Sequence, residues 1–209
     1  MQRLLLAPLL FLGACASTGE DGPAQTASDV QAELPSPEEQ ARIAAEMAEL
    51  AQPGPEHERL AAMAGSWDLE QRMYMPGSDT PMVMQGRAES EMVLGGRFLE
   101  IRTRVAGLSE SIGYLGFDRR HGEFTTVGFD TLGTYWVSGQ GPYDPEREAL
   151  VLYGEDVDPT AGVTQKFEFV IAQPSPDELR VEVIFLPGSF GNTEPWKAVE
   201  LVQTRRADG

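Results

Sequence analysis

The sequence predicts an all-β protein: a single antiparallel up-and-down barrel of about ten strands, preceded by short N-terminal helices. Three observations carry that expectation. From Gly65 onward, apolar and polar residues alternate in short runs, the period of a strand with one dry and one wet face. Clusters of Pro, Gly and Asp separate the runs by hairpin-length gaps. No helix-patterned stretch between them is long enough for a parallel crossover, so neighbouring strands run antiparallel. A sheet of so many strands curls or closes, and closure removes its exposed edges.

Residues 1–14 come first. Arg3 precedes an apolar run from Leu4 to Leu12, too short to span a bilayer and suited to a cleaved signal peptide. The run ends in Leu12-Gly13-Ala14-Cys15, at the only cysteine of the chain. This resembles the lipobox of bacterial lipoproteins, which implies cleavage before Cys15 and lipidation of its thiol. Two or three acyl chains hold a protein durably where one holds it only reversibly. The alternative is an ordinary secretory signal with an incidental cysteine. With no other cysteine, the mature domain has neither a disulfide nor a catalytic thiol. Ala16 stands where, by resemblance to enterobacterial sorting rules, an aspartate retains lipoproteins at the inner membrane. The expected location is the cell envelope, lipid-anchored at the periplasmic face, with the outer membrane favoured over the inner.

Residues 15–36 are small, polar and acidic after the cysteine and carry no aromatic residue, the composition of a disordered tether. Its reach is ~25 Å. Ser36-Pro37-Glu38-Glu39 is a helix start, with a capping serine, proline at the first helical position and glutamate three residues after the cap. A linker helix is expected within 37–53, ending near Leu50. Gly54-Pro55-Glu56 opens the domain of residues 54–209 with a second short helix that stops by Gly65. The first strand carries Trp67, Leu69, Met73 and Met75 on its apolar positions. In 82–94 the even positions Met82, Met84, Gly86, Ala88, Ser90, Met92 and Leu94 oppose Gln85, Arg87, Glu89 and Glu91. Leu99, Ile101 and Val105 oppose Glu100, Arg102 and Arg104. Further strands are expected near 110–117, 122–130, 132–140, 148–155, 163–173, 178–186 and 196–206.

The chain holds 33 acidic and 16 basic residues, a net charge of −17. That sign argues against nucleic acid as a partner and against electrostatic binding to anionic lipid.

Several motifs together resemble one family. Gly54-Pro55-Glu56-His57-Glu58-Arg59-Leu60 and Ala64-Gly65-Ser66-Trp67 are followed by Leu94-Gly95-Gly96-Arg97-Phe98-Leu99, Gly116-Phe117-Asp118 and the terminal Glu200…Thr204-Arg205-Arg206. The set is similar to domain-of-unknown-function family 1579 across most of 54–206. Phe117 stands where the family is expected to favour tyrosine. The resemblance implies a calycin-like barrel without an established activity. Gly65-Ser66-Trp67 is also similar to the Gly-x-Trp of lipocalins and fatty-acid-binding proteins. There a last-strand Arg or Lys lies over the tryptophan, a role that falls here to Arg205, with Arg206 as second choice.

Candidate chemistry is sparse. The only histidines are His57 and His121, without ligand-spaced partners, so neither a metal nor a haem is expected. No Gly-x-Ser-x-Gly elbow occurs. An isomerase-type enzyme working with a carboxylate and a tyrosine would draw on Asp130, Tyr114, Tyr135 and Glu168, although Asp130 reads as a turn residue and Glu168 as outward. A binding function rests on the barrel interior. Met82, Met84, Gly86, Ala88 and Ser90 combine adaptable methionine with small residues that leave volume. Phe167, Phe169 and Ile171 form another wall, with Val181, Val183 and Phe185 beside it. The expected ligand is a small apolar or amphipathic molecule. The same residues equally suit a filled core, in which case the protein is a non-catalytic interaction lipoprotein. Trp136, Phe190 and Trp196 would then meet an envelope protein partner.

Overall fold

The computed structural model describes residues 35–158 and 162–207. The expected signal peptide, the lipidation site Cys15, Ala16 and the tether as far as residue 34 lie outside the described residues. The chain divides into two compact units between Gln40 and Ala41, within helix α1 (Pro37–Leu50). In the first unit the Ser36 hydroxyl accepts the Glu39 N–H at 3.2 Å, and Pro37 occupies the first helical position, where a missing N–H costs nothing.

In the second unit, guanidinium groups from the barrel hold the carboxyl end of α1. Arg97 Nε donates to the Ala51 carbonyl at 2.9 Å, and Arg119 Nη1 donates to those of Glu49 at 2.6 Å and Gln52 at 3.1 Å. Cations there satisfy orphan carbonyls and complement the helix dipole. Helix α2 (Pro55–Ala62) follows. Its start is closed reciprocally: the Gly54 N–H donates to His57 Nδ1 at 3.0 Å and the His57 N–H to the Gly54 carbonyl at 2.9 Å. Leu60 and Met63, on and just after this helix, are buried against the barrel.

The strands are β1 (Gly65–Met73), β2 (Met82–Val93), β3 (Phe98–Val105), β4 (Ser109–Asp118), β5 (Glu123–Asp130), β6 (Trp136–Gly141), β7 (Tyr143–Asp144), β8 (Ala149–Asp158), β9 (Val163–Ser175), β10 (Glu178–Phe185) and β11 (Trp196–Arg205). Each pairs antiparallel with its sequence neighbours, except that β7 pairs with β8 alone. β1 pairs with β11, and β6 meets β8. The result is a closed, ten-stranded, up-and-down antiparallel barrel, with the two-residue β7 as an addition the sequence pattern does not reveal.

The β6–β8 seam closes on a single rung, Gln140 opposite Tyr153. Glycine makes the approach possible. A Cβ on Gly141 would collide with the Val151 carbonyl oxygen, and one on Gly154 with that of Ser138.

One expected strand is shorter at its start. Residues 131–135 turn, and β6 begins only at Trp136. Two side-chain bonds hold the turn, one local and one to the neighbouring strand: the Asp130 carboxylate accepts the Leu132 N–H at 2.8 Å, and the Thr131 hydroxyl accepts the Glu110 N–H at 3.1 Å. Side chains of this kind compete with the ladder for the backbone.

Interior packing is uneven along the barrel axis. One end is filled by Leu60, Met63, Trp67, Ala88, Leu99, Leu115, Phe124, Leu150 and Leu152. α2 covers that closed end. The outward positions carry charges paired across neighbouring strands, such as Arg104 with Glu110 at 3.0 Å and Lys166 with Glu155 at 3.2 Å.

Candidate functional site

Above the packed end lies a cavity of about 430 Å³. The ladders of β3 to β6 set its wall in rows that run from strand to strand. Leu99, Leu115 and Thr126 lie side by side near its floor. The next row is Ile101, Gly113, Gly128 and Val137, and the one above is Thr103, Ser111 and Asp130. The middle row creates the space: a Cβ on Gly128 would meet nothing within 4 Å. Phe167, Phe169 and Ile171 of β9 form the opposite wall, with Val181, Val183 and Phe185 of β10 and Leu201 of β11. Phe167 contacts Phe169 and Phe185 edge-on, at 5.1 and 5.9 Å between ring centroids. Interlocked rings of this kind hold the wall in place.

The structure gathers some of the expected ligand-binding residues at this cavity and disperses others. Ser90, Phe167, Phe169, Val183 and Phe185 all line it. Met82, Met84, Gly86 and Ala88 share the inward parity of Trp67 and Leu69 through the β1–β2 register, yet none belongs to the cavity wall. Met82 stands at the strand's open end with 53% exposure. Ala88 sits opposite Trp67 and packs into the closed-end core. At Gly86 an added Cβ would press on the Arg104 carbonyl of the neighbouring strand, so this glycine admits a close backbone approach instead of leaving ligand volume. The wall formed by β3, β4 and β5 is the part that residue-by-residue reading missed. Its signal was available in the alternation around Leu99 and Ile101, extended across the hairpins.

At the closed end Arg205 stands opposite Trp67 in the β1–β11 ladder. Its Cζ lies 4.1 Å from the indole centroid. The guanidinium also donates to the carbonyls of Ala64 at 2.8 Å, Ala62 at 3.0 Å and Pro176 at 2.8 Å. Trp67 is fully buried, and its Nε1 donates to the Ser90 hydroxyl at 3.3 Å. Ser90 in turn donates to the Met63 carbonyl at 2.9 Å, so its polar atoms serve the closure. Arg206 reaches outward to Glu89 at 3.2 Å.

The titratable candidates fall mostly elsewhere. Tyr114 donates to Glu100 at 2.9 Å on the outer face, and that bond, with some burial, raises its pKa. Glu168 pairs with Arg147 at 3.2 Å, and Tyr135 is exposed. Asp130 alone of the four lines the cavity. His57 caps α2 and meets Phe117 edge-on at 6.2 Å. Phe117 in turn packs on Phe124 at 4.8 Å, an apolar setting that uses no hydroxyl. His121 sits 2.9 Å from Asp118 in an exposed turn. Hydrogen bonds from Arg120 and His121 hold the Asp118 carboxyl far below the usual carboxylate range. On the outer face Glu200 is nearly buried. Desolvation raises its pKa, but Arg72 at 2.9 Å and Lys197 at 3.4 Å outweigh that and lower it. Among the described residues no group of three or more potential metal ligands gathers.

The aromatic residues of the open end are divided. Trp136 is 64% exposed and Phe190 50%, whereas Trp196 stacks on Phe185 at 5.7 Å. Phe190 has φ 51° in the β10–β11 loop, left-handed backbone that a large side chain adopts only when its surroundings hold it there. Its ring packs edge-on against both Phe185 at 4.8 Å and Trp196 at 5.8 Å.

No curated protein matches the chain. The family described as Protein of unknown function (DUF1579) matches residues 52–205. The matched span takes in α2, every strand of the barrel and the Trp67–Arg205 closure, and the chain belongs to this family of unknown function, DUF1579.

Proposed function

We propose that the barrel binds a small apolar or amphipathic molecule in its open-end cavity, as a cell-envelope lipoprotein tethered by lipid on Cys15. The supporting observation is the cavity itself. Its volume of about 430 Å³ falls within the range typical of small-molecule sites, roughly 300–1,000 Å³. Its walls are mainly aliphatic and aromatic, with Ser90, Thr126 and Gln203 low down and its two carboxylates, Asp130 and Asp156, higher up, an arrangement that holds an apolar body and offers polar partners to a head. A filled barrel acting through its surface is the second reading, favoured by the exposure of Trp136 and Phe190.

Titration with a neutral phenylnaphthylamine probe separates the two. On the ligand-binding reading the probe saturates at one site. Gly128→Phe, which projects a ring into open space, weakens it about ten-fold or more, whereas Arg87→Phe on the outer face leaves it unchanged. Equal effects of the two substitutions, or no saturable binding by the parent, favour the interaction reading.

A further inference from the structure

We infer that the cavity selects by charge, accepting neutral or cationic amphiphiles and rejecting anionic ones, with the headgroup at the level of Asp130 and Asp156. This rests on the ligand-binding reading and deepens it. Asp130 ends β5, Asp156 lies two residues before the end of β8, and both line the cavity. Among the described residues, no Lys, Arg or His belongs to the wall.

The polar level is well defined. Thr103, Ser111 and Asp130 stand in one row across three adjacent strands, directly above the row of Ile101, Gly113 and Gly128. A chain in the apolar part of the cavity therefore places its head among two hydroxyls and a carboxylate. Each aspartate uses one oxygen locally: Asp130 Oδ1 accepts the Leu132 N–H at 2.8 Å, and Asp156 Oδ1 accepts the Val157 N–H at 2.7 Å. Among the described residues no donor is bonded to the second oxygen of either. Both carboxylates remain available as acceptors for a ligand's ammonium or hydroxyl group.

An anionic head finds no compensation there. Basic residues on outward positions of the strands towards the open end are engaged by acids: Arg104 by Glu110 at 3.0 Å, Lys166 by Glu155 at 3.2 Å, Lys197 by Glu182 at 2.9 Å and Arg72 by Glu200 at 2.9 Å. From residue 57 on, the sequence holds 24 acidic and 14 basic residues, so the background field has the same sign. A carboxylate head would meet two like charges without a counter-ion, and an unpaired charge is costly to desolvate.

The test is displacement of the neutral probe by dodecanol, dodecylammonium and dodecanoate, each below its aggregation concentration, at neutral pH and low salt. The ammonium should bind at least about ten-fold more tightly than the carboxylate, with the alcohol between them. Salt should narrow the gap. In Asp130→Asn/Asp156→Asn the ammonium-to-carboxylate ratio should shrink towards one. Because the readout is a ratio within one protein, a general loss of affinity does not imitate it, and the parent ranking stands as a measurement without any variant. A parent that takes dodecanoate as tightly as dodecylammonium overturns the charge selectivity alone. Absence of saturable probe binding brings down the ligand-binding reading and this inference with it.

Discussion

Trp67 and Arg205 show how a residue pair far apart in sequence acts as one structural unit. The indole fills the closed end, and the guanidinium covers it while tying down three carbonyls that precede β1 or β10. Gly65 precedes this tryptophan for a steric reason: a Cβ there would overlap Arg205 Nη1, and its φ of +141° is one that L side chains rarely adopt. Trp67→Ala should destabilise the domain by about 3–5 kcal/mol, as large aromatic truncations in cores do. Arg205→Ala should cost less. In a double-mutant cycle read by urea unfolding, the stacking should appear as a coupling of about 0.5–2 kcal/mol. Additive losses would show that Arg205 acts only through the carbonyls.

At the scale of elements, the barrel depends on two kinds of glycine. Gly141 and Gly154 let β6 and β8 approach at the one-rung seam, while Gly128 faces the cavity. The same substitution should therefore have opposite consequences in neighbouring strands. Gly141→Ala should destabilise by about 1–3 kcal/mol, because backbone must shift to admit the methyl group. Gly128→Ala should be neutral or slightly stabilising, since its methyl meets open space and reduces the freedom of the unfolded chain. Thermal unfolding of the two variants makes the comparison, and equal losses would remove the distinction. The helical elements have an equally local logic. Arg97 and Arg119 hold the end of α1, and His57 caps the start of α2. Apart from Glu200, which pairs with Arg72 on the outer face, the motifs that carry the family likeness thus build the closed end, and none of them supplies the upper cavity wall.

For the whole molecule, the outer face of the strands is charged, and the inner face is mainly apolar with a few polar positions such as Asp130 and Asp156. Asp68, Glu70 and Arg72 on β1 and Glu100, Arg102 and Arg104 on β3 all point away from the interior. A barrel embedded in lipid has the reverse arrangement. Attachment to a membrane by lipid on Cys15 remains our proposal, and it predicts that Cys15→Ser yields a protein neither lipidated nor cleaved in the lipoprotein manner. Detergent partitioning and intact-mass measurement of wild type and variant check this. A processed, detergent-extractable Cys15→Ser protein would refute it.

The pairing of Trp67 with a terminal arginine was implied only by the likeness to lipocalins, whereas the sequence by itself determined the strand alternation, nearly all the hairpins and the two helices with their starts. Each is written in local spacing, because a strand's two faces differ every second residue and a capped helix start is satisfied within a few residues. It also placed Met82, Met84, Gly86, Ala88 and Ser90 on the inward face. What it left open was the height of each residue along the barrel. Parity tells inside from outside, but whether an inward residue meets a filled end or an empty one depends on which residues share its row across several strands. Ala88 lands opposite Trp67 and is core; Gly128 lands between Gly113 and Val137 and faces space. Asp130, a turn residue when read along the chain, becomes part of the cavity mouth once β5 is set beside β4. Only the register of the closed barrel, fixed by all ten strands together, decides which small residues leave room and which merely let backbones touch.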